Sequence, residues 1–168
     1  MGIDYRVKCC PDGLVTDRRR RIKVLDCTIR DGGICNDWQF KPQTVKRVFE
    51  ALTASGIDYM EVGYRTEEGI FSRKDVGPWR FCNEEDLEGV VAPGAMKLCT
   101  MVDVGRITKR DIPPKRDSVI DVIRIATYAH QLDEAMQLMD HALNMGYETF
   151  MNVMAVSTLT PQEVDAFL

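Results

Sequence analysis

An arginine and an aspartate stand side by side at Arg30-Asp31, where the β-type run Leu25-Asp26-Cys27-Thr28-Ile29 ends, and two glycines follow at Gly32-Gly33. Strand interiors disfavour Asp and Gly, so a cation and a carboxylate at a strand's carboxyl end are better placed at the rim of a site than in a core. There the carboxylate could hold a hard metal ion and the guanidinium an oxyanion. The glycines would let the chain turn sharply after the pair. Arg-Asp-Gly-Gly is also the composition of an ordinary charged turn, and from these four residues alone both readings stand.

Other chemistry-bearing residues fall at the ends or middles of apolar runs. Glu61 sits inside Met60-Glu61-Val62-Gly63-Tyr64, where a buried carboxylate needs an arginine such as Arg30 or Arg124 beside it. Arg124 is itself central to Val122-Ile123-Arg124-Ile125-Ala126-Thr127, so it must face a carboxylate: Asp26, Glu61 or a substrate. Tyr64 and Arg65 end the second run and could touch a substrate carboxylate. Trp79 and Arg80 could do so from the long segment 66–88.

These residues are positioned by an alternation of β-rich and helix-period segments from Lys23 onward, the pattern of repeated β/α units on a parallel sheet. Strands are predicted at Lys23 to Ile29, Tyr59 to Tyr64, Lys97 to Val102, Val119 to Thr127 and Glu148 to Val153; most are near-continuous apolar runs, as when both faces are buried. Val45, Val48, Phe49 and Leu52 recur at helical spacing between Pro42 and Gly56. A second helix is predicted over Gln131 to Met145, with Leu132, Ala135, Met136, Met139 and Leu143 as its core stripe and His141 on its surface. A third starts at the capping box Thr160-Pro161-Gln162-Glu163. Segment 66–88 is long for a plain connection and reads as a binding loop or lid.

The fold class expected is α/β: about five β/α units forming the amino-terminal portion of a TIM (β/α)8 barrel, a fold of about 250 residues. Residues 1–21 read as an extension, a hairpin or a loose tail, and 22–168 as the partial barrel domain. The apolar stripe begun by Val164, Phe167 and Leu168 is interrupted by the end of the sequence, as expected of a fragment. The alternative is an open five-stranded α/β sheet of flavodoxin type, but no G-x-G-x-x-G or Walker sequence accompanies it. In a barrel, His130 follows the fourth strand on the catalytic side and is a candidate substrate contact.

Composition narrows the function classes. The chain is 45% hydrophobic and 29% charged, enough for a real core. A net charge of −4 and a pI near 5.3 argue against nucleic-acid binding, despite the run Arg18-Arg19-Arg20-Arg21, which reads as a solvated lead-in to the first strand. No stretch approaches the roughly 20 apolar residues of a membrane span, and no signal peptide opens the chain, so a cytoplasmic location is expected. Six cysteines without C-x-x-C spacing argue against a disulfide framework or zinc site.

Taken together, Asp-Cys-Thr-Ile-Arg-Asp-Gly-Gly at 26–33, Met-Glu-Val-Gly-Tyr at 60–64 and Val-Ile-Arg-Ile-Ala-Thr at 122–127 resemble the metal-dependent aldolase and lyase superfamily of TIM barrels. That group includes 4-hydroxy-2-oxovalerate aldolase, 3-hydroxy-3-methylglutaryl-CoA lyase and 2-isopropylmalate synthase, and the resemblance is strongest to the aldolase branch. It implies that Asp31 ligates a divalent metal, Mn²⁺ or Mg²⁺, that Arg30 steadies an enolate oxygen, and that Glu61 completes an Asp-Arg-Glu signature. The implied partner is a small 2-oxo acid, with a C–C bond cleaved or formed through an enolate. Two departures stand out. Ile34 occupies the position where the aldolases carry a base histidine, and the family's His-x-His ligand pair is absent, since His130 and His141 are too far apart. The alternatives are a Claisen-type acyl-CoA condensing enzyme and an inactive or non-catalytic module. An open sheet edge beside Met151 to Val156 is expected to self-associate, two copies meeting as a homo-oligomer.

Overall fold

The computed structural model describes residues 22–67 and 69–165. The expected extension over 1–21, its arginine run, Cys9-Cys10 and the terminal Phe167 and Leu168 lie outside the described residues. Five strands, β1 (Leu25–Asp26), β2 (Tyr59–Tyr64), β3 (Lys97–Asp103), β4 (Val122–Thr127) and β5 (Glu148–Val153), form one sheet in chain order, every neighbouring pair parallel. Between and after them lie the helices α1 (Thr28–Gly32), α2 (Pro42–Ala54), α3 (Glu84–Leu87), α4 (Leu132–Asn144) and α5 (Pro161–Asp165). This is a half-barrel of β/α units, as the alternation of patterns implied.

Strand alternation sorts the side chains by face. Met60, Val62, Leu98, Val102, Ile123 and Ile125 are buried in the large core under the helices. The opposite, inner face carries Glu61, Tyr64, Cys99, Met101, Arg124, Ala126 and Asn152, and Tyr64, Met101 and Ala126 form a small apolar cluster there with Trp38 and Met154. A register shift between Glu61 and Gly63 marks a bulge in β2, between its carboxylate and its tyrosine.

Several local expectations are corrected. The first strand does not run to Ile29: the Asp26 carboxylate accepts hydrogen bonds from the Thr28 N–H at 3.0 Å and the Thr28 hydroxyl at 2.9 Å, and this turn diverts the chain into α1. The Gly32-Gly33 pair is accordingly helical rather than a sharp turn, with φ of −60° and −58°. Gly33 is required by close approach, because a Cβ there would lie 1.9 Å from Cδ1 of Trp38. Lastly, α4 buries Ala135, Leu138 and Ala142, whose small alanines let it lie close on the sheet, whereas Met136 and Leu143 are about half exposed. The fourth strand also starts later than expected, at Val122, and segment 66–88 contains a 3-10 turn, Pro78–Arg80, followed by α3. Trp79 is fully buried with its Nε1–H on the Phe40 carbonyl at 2.8 Å, so it braces the core and not a ligand.

Candidate active site

The site grows from a carboxylate with no access to water. Glu61 is 0% exposed in the middle of β2, and an ionised side chain there is tolerable only with full pairing. Two guanidiniums supply it. Arg30 donates from Nε to Oε2 at 2.6 Å, while Arg124, opposite on β4, donates from Nη1 at 3.1 and 3.2 Å to both oxygens. Arg124 is held in turn by Asn152 of β5, whose Oδ1 accepts at 2.9 Å. Of the three partners open to Arg124 in the sequence, the fold selects Glu61.

Arg30 reaches this position because α1 follows β1 directly. Its backbone carbonyl accepts from Nε1 of Trp38 at 2.9 Å, and its Nη1 pairs with the neighbouring Asp31. Burial alone would lower the Arg30 pKa, but the hydrogen bond and charge of Glu61 outweigh it and raise it above the ordinary arginine value. The same burial, reinforced by Glu61, pushes the Cys27 thiol up to about 11 and Cys99 well above a free thiol, so neither is a nucleophile near neutral pH. Four charged side chains, Arg30, Asp31, Glu61 and Arg124, therefore meet at the inner face with matched charge.

Tyr64 borders this group, its ring edge-on to Trp38 at 5.4 Å between centroids and 5.9 Å from the Arg30 guanidinium. His130 lies past the end of β4, stacked on Tyr128 at 5.7 Å, and lines a cavity of about 790 Å³ with Tyr64. Arg65 does not join them. Its Nη2 donates to the Cys82 carbonyl at 3.0 Å and to Glu84 at 2.7 Å, on the other side of the sheet, where it anchors α3. Sequence reasoning missed Asn152 as a partner of Arg124, although its place on β5, two residues from Phe150 and four from Glu148, puts it on the inner face.

Asp31 is the one carboxylate of the group open to solvent, its side chain 58% exposed. A hard oxygen donor at that rim suits one coordination position of Mg²⁺ or Mn²⁺. Among the described residues, no three His, Cys, Asp or Glu side chains are grouped so as to hold a metal ion. The other ligands would have to be water, substrate oxygens or groups outside these residues.

No protein-family profile matches the chain. Individual relatives do. The chain is 25% identical over 148 residues to a 4-hydroxy-2-oxovalerate aldolase of Geobacillus genomosp. 3, covering 87% of this chain and 43% of that protein. It is 27% identical over 150 residues to 4-hydroxy-2-oxovalerate aldolase 6 of Rhodococcus jostii, and 26% over 156 residues to an oxaloacetate decarboxylase of Mycobacterium tuberculosis, covering 41% and 45% of those proteins. Among solved structures, the N-terminal domain of a presumed aldolase from Bacteroides vulgatus superimposes with a TM-score of 0.72 at 31% identity, over 82% of this chain and 46% of that one. The chain thus spans less than half the length of the relatives it matches. The resemblance read from the three motifs and the partial-barrel fold are both borne out. Among the described residues no helix is long and apolar enough to cross a membrane.

Proposed function

We propose that this half-barrel carries the enolate-holding part of a carbon–carbon lyase that acts on a 2-oxo acid, as an aldolase of the 4-hydroxy-2-oxo acid type. The observation that supports it is the Arg30–Glu61–Arg124 group, with Asp31 beside it, on the inner face of the sheet. Cleaving the bond β to a ketone leaves an enolate, and its developing negative oxygen needs a donor already in place. Arg30 is such a donor: Glu61 and Asp31 occupy its Nε and Nη1, which fixes the plane of the guanidinium and leaves Nη2 for a substrate oxygen. Glu61 is buried between two cations, so its role is to orient Arg30, not to carry protons. The ring of Tyr64 borders Arg30, its centroid 5.9 Å from the guanidinium.

Asp31 would supply one ligand to a divalent metal, Mn²⁺ or Mg²⁺, and that ion when bound polarises the ketone as a Lewis acid. Ile34, 64% exposed, cannot move a proton, and that step falls to another group. The test is product analysis with the full-length protein and a 4-hydroxy-2-oxo acid: release of pyruvate and an aldehyde, without any acyl-CoA, is the expected result. Turnover that requires acyl-CoA would replace the aldolase by a Claisen condensation, and no turnover with either would favour a non-catalytic module.

A further inference from the structure

Beyond Tyr64 the inner face opens into the cavity of about 790 Å³, walled in part by Arg80, Asp103, Arg106 and His130. Arg80 is only 3% exposed. Its guanidinium lies 3.8 Å from the ring centroid of Tyr64, 4.6 Å from Phe71 and 4.8 Å from Trp38. Three rings about one cation fix its place and strip its water. A cation so dried needs acceptors along its edges. Among the described residues it has one, Oδ2 of Asp103 at 3.2 Å, and its Nε has none. The same Asp103 oxygen also holds Arg106 at 3.3 Å. Two guanidiniums divide one carboxylate, which leaves this part of the cavity with positive charge in excess. A cation kept only to stack the aromatic rings would need neither the second arginine nor an open cavity at its edge.

We infer that this cavity is a subsite for a second anionic group, so that the 2-oxo acid taken by the Arg30 site is a dicarboxylate. The inference rests on the reading of the Arg30 group as the 2-oxo acid site. Arg80 and Arg30 lie 3.8 and 5.9 Å from the centroid of the same Tyr64 ring, which puts the two guanidiniums within about 10 Å of each other, a separation the two ends of a short dicarboxylate span. One oxygen of Asp103 bonds both Arg80 and Arg106, which fixes the two guanidiniums beside the cavity. Arg80 is then a specificity-determining residue: it reads the distal carboxylate and leaves the reacting carbons to Arg30.

Calorimetric titration of the full-length protein with 2-oxoglutarate and 2-oxobutyrate tests this, because the two ligands share the 2-oxo acid end and differ at the other. The wild type should bind 2-oxoglutarate about tenfold more tightly, Arg80→Gln should abolish that preference, and Arg30→Gln should weaken both ligands alike. If Arg80→Gln does not fold, as judged by thermal melting, Arg106→Gln, with its side chain 51% exposed, should fold and weaken 2-oxoglutarate alone. Binding of both ligands with equal affinity, or equal loss of both in Arg80→Gln or Arg106→Gln, would overturn the subsite and leave the 2-oxo acid reading in place. Failure of the wild type to bind either ligand would overturn both.

Discussion

Replacing Glu61 with Gln takes the only buried negative charge out of a group in which two guanidiniums share one oxygen, at 2.6 and 3.1 Å. The site has little water to repair the loss, since the side chains of Glu61, Arg30 and Arg124 are 0%, 13% and 19% exposed. Breaking a buried pair by removing one partner costs about 3–5 kcal/mol. The direct repulsion left behind gives a similar figure, about 4 kcal/mol for two unit charges some 4 Å apart at an effective dielectric near 20. A Gln side chain also turns an –NH₂ donor toward groups that are themselves donors. Against a total stability of about 5–15 kcal/mol, Glu61→Gln should lower the urea midpoint by roughly 2 M for a slope near 2 kcal/mol/M. Equilibrium unfolding followed by fluorescence of Trp38 and Trp79 reads this directly. Adding Arg124→Met to Glu61→Gln should restore part of the loss, because one cation is then left instead of two. A single-variant loss below about 1 kcal/mol, the scale of an exposed ion pair, would refute the burial and charge matching on which the site rests.

Other perturbations follow from the same contacts. In Gly63→Ala a Cβ would meet the Trp79 carbonyl oxygen at 2.1 Å and the Cys82 sulfur at 2.6 Å, so the variant should lose about 1–3 kcal/mol in the same unfolding assay; wild-type stability would mean that β2 and the 3-10 turn do not approach as described. Glu148 is held below the usual carboxylate value by Lys97, and Glu84 is lowered by hydrogen bonds from Ser118, Arg65 and Val119 that outweigh its burial. Because the unfolded chain binds more protons near and below 4.5, the stability these carboxylates give at neutral pH should fall as pH drops from about 5 toward 3, and a flat profile in urea titrations would contradict the pairing. Alkylation at about pH 8 with peptide mapping should label exposed Cys35 well before Cys27, whose thiol is pushed up to about 11; the reverse order would place Cys27 outside the Glu61 environment.

Much of the architecture was legible because a parallel sheet writes itself as long apolar runs: the bounds of β2 and β5 coincide with the expected ones. The pairing of Glu61 was legible too, since a carboxylate in the middle of such a run has few acceptable surroundings and Arg30 and Arg124 were the cations at hand. What escaped was decided by side-chain contacts only two to five residues apart, at Asp26–Thr28 and Gly33–Trp38, which a strand or turn pattern leaves open. Nothing in Asp26-Cys27-Thr28 announces that the aspartate will cap a turn and end the strand early, and Gly33 looked like a turn residue because the ring of Trp38 that crowds it comes from a later turn. The stripe on α4 was right in part: Ala135 and Met139 meet the core as expected, whereas Met136 and Leu143 are about half exposed and Leu138 and Ala142 are buried in their place. Helical spacing admits neighbouring faces, and only the sheet decides which lies against it.

In the proposed function Arg30, set by Glu61 and Asp31, holds the oxygen of an enolate. The most direct test is steady-state turnover of a 4-hydroxy-2-oxo acid by full-length wild type and Arg30→Lys, with unfolding midpoints measured on the same preparations. Lysine keeps the charge and loses the planar fork, so kcat should fall by about 10²–10³ with the protein still folded. Turnover by Arg30→Lys within a few-fold of wild type would remove Arg30 from the chemistry.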